Sequence, residues 1–283
     1  MAAAGRKAWD DTRYIPGVAL EFFKAAGRPE KVAAGKAFFG ENEKARPLLF
    51  MRDKMYLLLD GEVDLVARRR TIGTVKKGQI FGEMASITHA PRSASAVAKT
   101  ACRVIALDDR QFHSGLQKKP DFALMLMSIM IGRLRETVAR LAEQTTLQGE
   151  AVVKESVVFD PKRLTELADG LGSDQPVYFD RGKTIVQEGQ AGLRMYAVLE
   201  GKVAVSISGS GVVERLGPGG VFGELALLDQ APRLASAVAE TDCQLLPINR
   251  TAFLMLVKTN PDFAESMLGA LAERLRVLTA KLK

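Results

Sequence analysis

Apolar and polar positions along the chain fall into two periods, helical and alternating, and the same succession of periods runs through the chain twice. Pro16 to Ala26 carries Val18, Leu20, Phe22 and Phe23 at a spacing that predicts an amphipathic helix started by a proline. Short alternating runs bounded by glycines follow, and these predict strands. Lys31 to Phe39 matches Val177 to Val186, with Gly35 on Gly182, Lys36 on Lys183 and Glu41-Asn42 on Glu188-Gly189. Asn in place of Gly predicts a left-handed turn residue there, a conformation Asn tolerates better than most side chains. Met55 to Leu59, Gly61 and Val63 pair with Met195 to Leu199, Gly201 and Val203 as strand, tight turn, strand.

Beyond residue 90 the two copies stay in register. Ala94 to Ala98 matches Ala235 to Ala239, Cys102 matches Cys243, Pro120-Asp121-Phe122-Ala123 matches Pro261-Asp262-Phe263-Ala264, and Arg133-Leu134-Arg135 matches Arg274-Leu275-Arg276. The helix predicted over 121–148 places Leu124, Met127, Ile131, Leu134, Val138 and Leu141 at alternating threes and fours, and the corresponding stripe in the second copy is Met267, Leu271, Leu275, Leu278 and Leu282. That spacing is a heptad seam, which could pair with a second copy; over fewer than three heptads, packing on its own roll explains it nearly as well. The expected fold class is α+β: two antiparallel β-rolls of jelly-roll type, each with N-terminal and C-terminal helices. Gly149 ends the first closing helix, Ala151 to Val158 leads on, and Asp160-Pro161 supplies an N-cap and first-turn proline for a new helix, with Gly170 and Gly172 at its end. The domains are therefore set at 15–148 and 150–283.

The first copy has about seven extra residues within Glu43 to Lys54, among them Arg46, Pro47, Leu48, Leu49, Phe50 and Arg52. An apolar and basic loop is a candidate contact surface, and loops also accept insertions cheaply. Arg68-Arg69-Arg70-Thr71-Ile72 resembles a basophilic kinase recognition sequence, although a charged hairpin is ordinarily just solvated.

Composition adds limits. The 283 residues, 47% hydrophobic and 26% charged, suit a soluble chain of two domains, and no apolar run reaches membrane length. Met1 to Tyr14 is polar and lacks the apolar stretch of a signal peptide, which predicts a cytoplasmic location. The net charge of +7 is unequally shared: residues 1–142 hold 25 Lys and Arg against 15 Asp and Glu, and the remainder holds 15 against 18. A basic half could meet nucleic acid, but a solvated face is the commoner case, and no dedicated nucleic-acid surface is expected. Cys102 and Cys243 read as one core strand position used twice. Two histidines, His89 and His113, cannot build a catalytic triad, and neither metal-ligand spacing nor a P-loop occurs, so no enzyme and no metal are expected. His89 lies opposite Gln230, where a loop position explains it better than a ligand role.

The chemistry concentrates in one repeated stretch. Phe81-Gly82-Glu83-Met84-Ala85 leads to Ala90-Pro91-Arg92-Ser93-Ala94, and Phe222-Gly223-Glu224-Leu225-Ala226 leads to Ala231-Pro232-Arg233-Leu234-Ala235, with Glu and Arg nine apart in both. A glycine permits close backbone approach, the start of a short helix leaves amide N–H groups free, and an arginine adds charge, which together describe an anion site. The Glu fits only if the ligand carries a hydroxyl donor beside its phosphate, as a ribose does.

At these residues the chain resembles the cyclic-nucleotide-binding domain family, in two tandem copies, with a layout similar to the regulatory subunit of cyclic-nucleotide-dependent protein kinase but without recognisable N-terminal docking and inhibitor segments. The resemblance covers nearly the whole chain. It implies ligand contacts at Gly82, Glu83, Met84, Ala85, Arg92, Ser93 and Ala94, and at Gly223, Glu224, Leu225, Ala226, Arg233, Leu234 and Ala235: Gly and the following amides at sugar and phosphate, Glu on the ribose 2′-hydroxyl, Arg on the exocyclic oxygens. The expected function is a cyclic-mononucleotide sensor, cyclic AMP favoured, that changes shape for an unidentified protein effector. The closing helices offer a homodimer seam, and no cofactor beyond the regulatory nucleotide is implied. Cyclic GMP or a cyclic dinucleotide as ligand, a catabolite-activator-like DNA-binding regulator and a degenerate scaffold stay open; the DNA-binding reading needs a helix-turn-helix after a roll, and the chain ends within its closing helix. Ser93 can donate a hydrogen bond that Leu234 cannot, which ranks the first site as the tighter.

Overall fold

Helix α1 spans Pro16–Ala26, and its buried face is Ala19, Phe22 and Phe23, with Val18 and Leu20 at its margin. The computed structural model describes residues 13–43, 53–88, 90–143, 155–171, 175–209 and 211–280. His89, most of the insertion near residues 43–54, Gly149, Gly172, Leu282 and the proposed boundary near residue 150 lie outside them.

Eight strands follow α1: β1 (Arg28–Val32), β2 (Ala37–Phe39), β3 (Lys54–Asp60), β4 (Val63–Ala67), β5 (Arg70–Val75), β6 (Ile80–Phe81), then the short helix α2 (Glu83–Thr88), β7 (Ser95–Ala98) and β8 (Cys102–Asp108). They form two antiparallel sheets in the orders β1-β8-β3-β6 and β2-β7-β4-β5. Inward side chains of both, including Phe39, Tyr56, Leu58, Val63, Phe81, Ala96, Cys102 and Val104, make one core. This is the alternation expected of strands with one face buried. Arg68 and Arg69 form the β4–β5 turn at φ 49° and 62°, exposed to solvent.

Helices α3 (Asp109–Lys118) and α4 (Asp121–Glu143) close the roll. Asp108 starts α3 through a capping box with Gln111. Phe22 stacks on Phe122 with centroids 4.0 Å apart and meets Phe23 and Phe112 edge-on. A Cβ on Gly115 would lie 2.7 Å from the Phe22 ring, so glycine makes room for that cluster. Each such ring, fully buried, contributes about 1.5–3 kcal/mol. α4 departs from the narrow seam read in its sequence. Phe122, Ala123, Met125, Leu126, Met127, Ile129, Met130 and Ile131 are all buried, an apolar surface around most of the helix.

The second copy repeats the plan. After β9 (Glu155–Ser156) and α5 (Pro161–Leu171) come β10 (Val177–Phe179), β11 (Thr184–Val186), β12 (Arg194–Glu200), β13 (Val203–Ile207), β14 (Gly211–Leu216), β15 (Val221–Phe222), α6 (Leu225–Asp229), β16 (Ser236–Ala239), β17 (Cys243–Asn249), α7 (Arg250–Thr259) and α8 (Pro261–Ala280). Asp160 caps α5 as its sequence predicts, accepting from Arg163 N at 2.9 Å. The sheets are β10-β17-β12-β15 and β11-β16-β13-β14-β9. One pairing is not antiparallel: β9 runs parallel to β14, where the chain entering α5 donates from Val158 N and Phe159 N to Gly219 O. Cys102 and Cys243 are buried and reduced at the first residue of β8 and β17, the core strand position expected.

By contacts the chain divides into two compact units, Met1–Ile129 with Val257–Glu273, and Met130–Leu256 with Arg274–Lys283. Each unit holds one roll, and α4 from Met130 onward groups with the second.

Candidate functional site

Each repeated stretch sits between the two sheets of its roll. β6 ends at Phe81, Gly82 turns the chain at φ 79°, α2 follows, and the chain returns through Arg92 into β7; in the second roll β15, Gly223 at φ 84°, α6 and Arg233 do the same before β16. A Cβ on Gly82 would lie 2.9 Å from Lys54 O and 3.0 Å from Arg92 Nη1, and one on Gly223 would lie 2.6 Å from Arg233 Nη1. Glycine is required twice over at these positions, by the backbone conformation and by the guanidinium packed against it.

Both arginines are almost fully buried, Arg92 at 4% and Arg233 at 8% exposure. Arg92 donates from Nη1 to Gly82 O and from Nη2 to Lys54 O, both at 2.8 Å, and its Cζ lies 4.1 Å from the centroid of the Phe39 ring. Arg233 donates to the equivalent carbonyls, Gly223 O and Arg194 O. Their main chains are fixed in the same way. Asn42 N donates to Arg92 O and Gly189 N to Arg233 O, both at 2.9 Å, while Arg92 N and Arg233 N donate to Glu43 O and Gln190 O. Asn42 at φ 63° and Gly189 at φ 80° are thus the left-handed residues expected, and the turn they make holds the arginine backbone. Burial lowers the pKa of both arginines; Asp53 counters it at Arg92, and the Tyr196 and Glu224 side chains counter it at Arg233.

The carboxylates differ between copies. Glu83 and Glu224 are both buried, at 9% and 2% exposure. Glu224 Oε1 accepts from Arg274 Nη1 of α8 at 2.7 Å, and Arg274 also donates from Nε to Glu214 Oε2 at 2.9 Å and from Nη2 to Val221 O. Burial lowers the Arg274 pKa, but Glu214 and Glu224 outweigh it and the net direction is upward. Near Glu83 stands Tyr14, whose hydroxyl donates to Gly78 O at 2.7 Å; burial first, then the Glu83 charge, raises its pKa. Asp53, absent from the expected set, lies 3.2 Å from Arg92 Nη2.

The remaining expected positions line the same stretches. Ala85, Ala94 and Ala226 are buried, Met84, Leu225, Leu234 and Ala235 half-buried, and Ser93 exposed. Arg274 and Asp53 are the residues sequence reasoning missed. Arg274 had a signal, a charged residue recurring with Arg133 inside an apolar helix; Asp53 had none, because it closes an insertion with no counterpart. Elsewhere, among the described residues, His113, Asp262 and Glu265 bring potential ligand atoms within 4.8 Å of one another, and His113 Nδ1 and Glu265 Oε2 are hydrogen-bonded at 3.1 Å.

The arrangement offers two buried guanidiniums held on neutral carbonyls, each near a carboxylate one residue past a positive-φ glycine. Such groups are chemically suited to an anion with a hydroxyl donor beside it. A profile of the cyclic nucleotide-binding domain matches residues 30–119 and 176–260, more than half of the chain. The chain belongs to the cyclic nucleotide-binding domain family.

Among its relatives is the cAMP-dependent protein kinase regulatory subunit of Eremothecium gossypii, 31% identical over 205 residues, which are 72% of this chain and 40% of that protein. The CRP-like cAMP-activated global transcriptional regulator of Mycobacterium tuberculosis is 37% identical over 106 residues, 36% of this chain and 47% of that protein. The chain spans less than half the length of either. The regulatory domain of Toxoplasma gondii PKA, crystallised with cAMP, is 25% identical, with 84% of this chain and 85% of that one covered at a TM-score of 0.32. No helix among the described residues is long and apolar enough to cross a membrane.

Proposed function

We propose that the chain is a tandem cyclic-mononucleotide sensor, with cyclic AMP the favoured ligand, that changes shape for a protein partner. The observation that carries this is the duplicated construction at Arg92 and Arg233. Two buried arginines, each on the carbonyl of a positive-φ glycine and on a strand carbonyl, occur at equivalent places in a family whose domain binds cyclic nucleotides. In this reading Arg92 and Arg233 take the exocyclic phosphate oxygens, Glu83 and Glu224 accept from the ribose 2′-hydroxyl, and Gly82, Met84, Ala85, Ser93 and Ala94, with Gly223, Leu225, Ala226, Leu234 and Ala235, line the two pockets.

The link from Glu224 to Arg274 suggests how binding reaches the closing helix. A sugar hydroxyl on Glu224 must share that carboxylate with Arg274, so the nucleotide favours whichever position of α8 satisfies both. Differential affinity for two positions of a helix is the only way a ligand can shift their populations. The names of the relatives make a protein kinase catalytic subunit the first partner to test. No catalytic role belongs to this reading; domain boundaries at 15–148 and 150–283, a cytoplasmic location and a homodimer through the closing helices do.

Calorimetric titration of the purified chain with cyclic AMP, cyclic GMP and a cyclic dinucleotide tests it. Saturable binding of a mononucleotide at two sites is expected, with cyclic AMP the tightest. A flat response to all three would leave an interaction scaffold as the better reading.

A further inference from the structure

We propose that Arg135, on the helix that closes the first roll, is a positioning residue of the second nucleotide site, an inference that rests on the function proposed above. Arg135 lies in the part of α4 that groups with the second roll. Its Nε and Nη2 engage Asp229 Oδ2 and Oδ1 as a two-pronged ion pair, and Nη1 donates to Pro232 O at 3.0 Å. The two side chains are only 25% and 22% exposed. Asp229 as a residue is exposed, so the two-pronged geometry rather than burial sets this pair apart from an ordinary surface salt bridge.

What Arg135 holds is the backbone that carries Arg233. Pro232 O and Arg233 N belong to one peptide plane, and the plane is fixed at both edges: Arg135 donates to the oxygen, and the nitrogen donates to Gln190 O at 2.8 Å. Asp229 contributes a second restraint, since its Oδ1 accepts from Ala231 N at 3.1 Å across the left-handed Gln230, at φ 53°. The guanidinium therefore secures the loop from residue 229 to the phosphate-binding arginine, without itself being placed to touch ligand.

The first cassette differs at the place of Asp229. Thr88 stands there, its Oγ1 donating to Met84 O at 2.7 Å and accepting from Ala90 N at 3.3 Å, and a threonine offers no carboxylate for a two-pronged pair with a guanidinium. The two-pronged pair with Asp229 is a feature of the second cassette.

The test uses the full chain. In nucleotide-free protein, hydrogen exchange at the Arg233 amide should accelerate roughly tenfold in Arg135→Ala, the scale of one charged hydrogen-bond network lost locally. With the first site silenced by Arg92→Ala, the affinity for cyclic AMP at the second should fall roughly tenfold with Arg135→Ala. With the second silenced by Arg233→Ala, the same substitution should leave the first site within about twofold. The charge-exchanged pair Arg135→Asp with Asp229→Arg should stay weakened, because an aspartate at 135 cannot donate to Pro232 O and an arginine at 229 cannot accept from Ala231 N. Unchanged exchange at the Arg233 amide overturns the proposal, as does faster exchange with unaltered second-site affinity, or equal weakening of both sites. A parent chain that binds no cyclic nucleotide defeats the proposed function instead, while the exchange measurement still decides whether Arg135 sets the loop.

Discussion

Asp53 Oδ1 lies 3.2 Å from Arg92 Nη2, with both side chains at most 8% exposed, and the residue aligned with Asp53 in the second copy is Leu193, 82% exposed. In the proposed first site Asp53 is therefore a carboxylate acting on the arginine in addition to Glu83, whereas in the second Glu224 acts on Arg233 and Leu193 adds no charge. Arg92 keeps its place without Asp53, because two carbonyls and the Phe39 ring hold it. Asp53→Asn should then strengthen binding of an anionic nucleotide at the first site by about threefold to tenfold, the ~1 kcal/mol scale of one partly screened charge. Calorimetry in an Arg233→Ala background reads this directly, and a weaker first site would mean that Asp53 positions Arg92 rather than competing for it. The same carboxylate would oppose the advantage expected of Ser93 over Leu234 at the first site.

Replacing either arginine should reveal a requirement for shape as well as charge. Each guanidinium bridges a glycine carbonyl and a strand carbonyl, a fork that a lysine ammonium cannot reproduce. Arg92→Ala or Arg233→Ala should cost roughly 1.5–3 kcal/mol per charged hydrogen bond lost, about ten- to hundredfold in affinity at that site. Arg→Lys should recover less than half of that free energy. Full recovery by lysine would show that only the charge matters.

How much of this was legible in the sequence follows from how local each feature is. α1, the Asn42 and Gly189 turns, the Asp160 cap and the Cys102 and Cys243 positions depend on short-range backbone chemistry or on repetition, and all are found where the residues indicate. That Asn42 and Gly189 bind the arginine carbonyls was not legible, because the partners are 50 and 44 residues away and no periodicity joins them. Arg274 reaching Glu224, and Arg135 reaching Asp229, are tertiary pairs 50 and 94 residues apart whose existence depends on how the closing helices pack. The parallel β9–β14 pairing escaped for the same reason, since two residues carry no period at all.

Alkali should expose Tyr56. Its ring is 6% exposed and stacked on Phe81 with centroids 5.0 Å apart, and burial first, then Glu30, pushes its pKa up to about 12 from an ordinary value of 10.0. A raised phenol pKa means the folded chain holds the proton more tightly than the unfolded chain does. The contribution is complete below pH 10 and is lost as pH rises towards 12, because the unfolded chain gives up its proton first. The loss amounts to roughly 3 kcal/mol. Tyr56→Phe cannot ionise, so its stability should fall less steeply than wild type over that interval, as read by urea midpoints at a series of pH values. Parallel slopes for the two proteins would show that the Tyr56 proton is not linked to folding.

Arg274 sets the sharpest stability test, because it stands between two carboxylates that would otherwise be buried together. Its side chain is 15% exposed, Glu214 is 14% and Glu224 is 2%, and Nε and Nη1 reach one carboxylate each. Arg274→Met preserves length and apolar contact but leaves two like charges without their shared cation. Removing one partner of a buried pair costs about 3–5 kcal/mol, most of it the penalty of the charge left behind. If that penalty is the cause, adding Glu214→Gln to Arg274→Met should restore a large part of the loss, even though it deletes a second native ion-pair partner. Urea denaturation of the wild type, the single variant and the double variant decides the matter. A single variant within about 1 kcal/mol of wild type, the worth of an exposed pair, would mean that water reaches these carboxylates. A double variant less stable than the single one would mean that Glu214 contributes through packing or a partner other than Arg274.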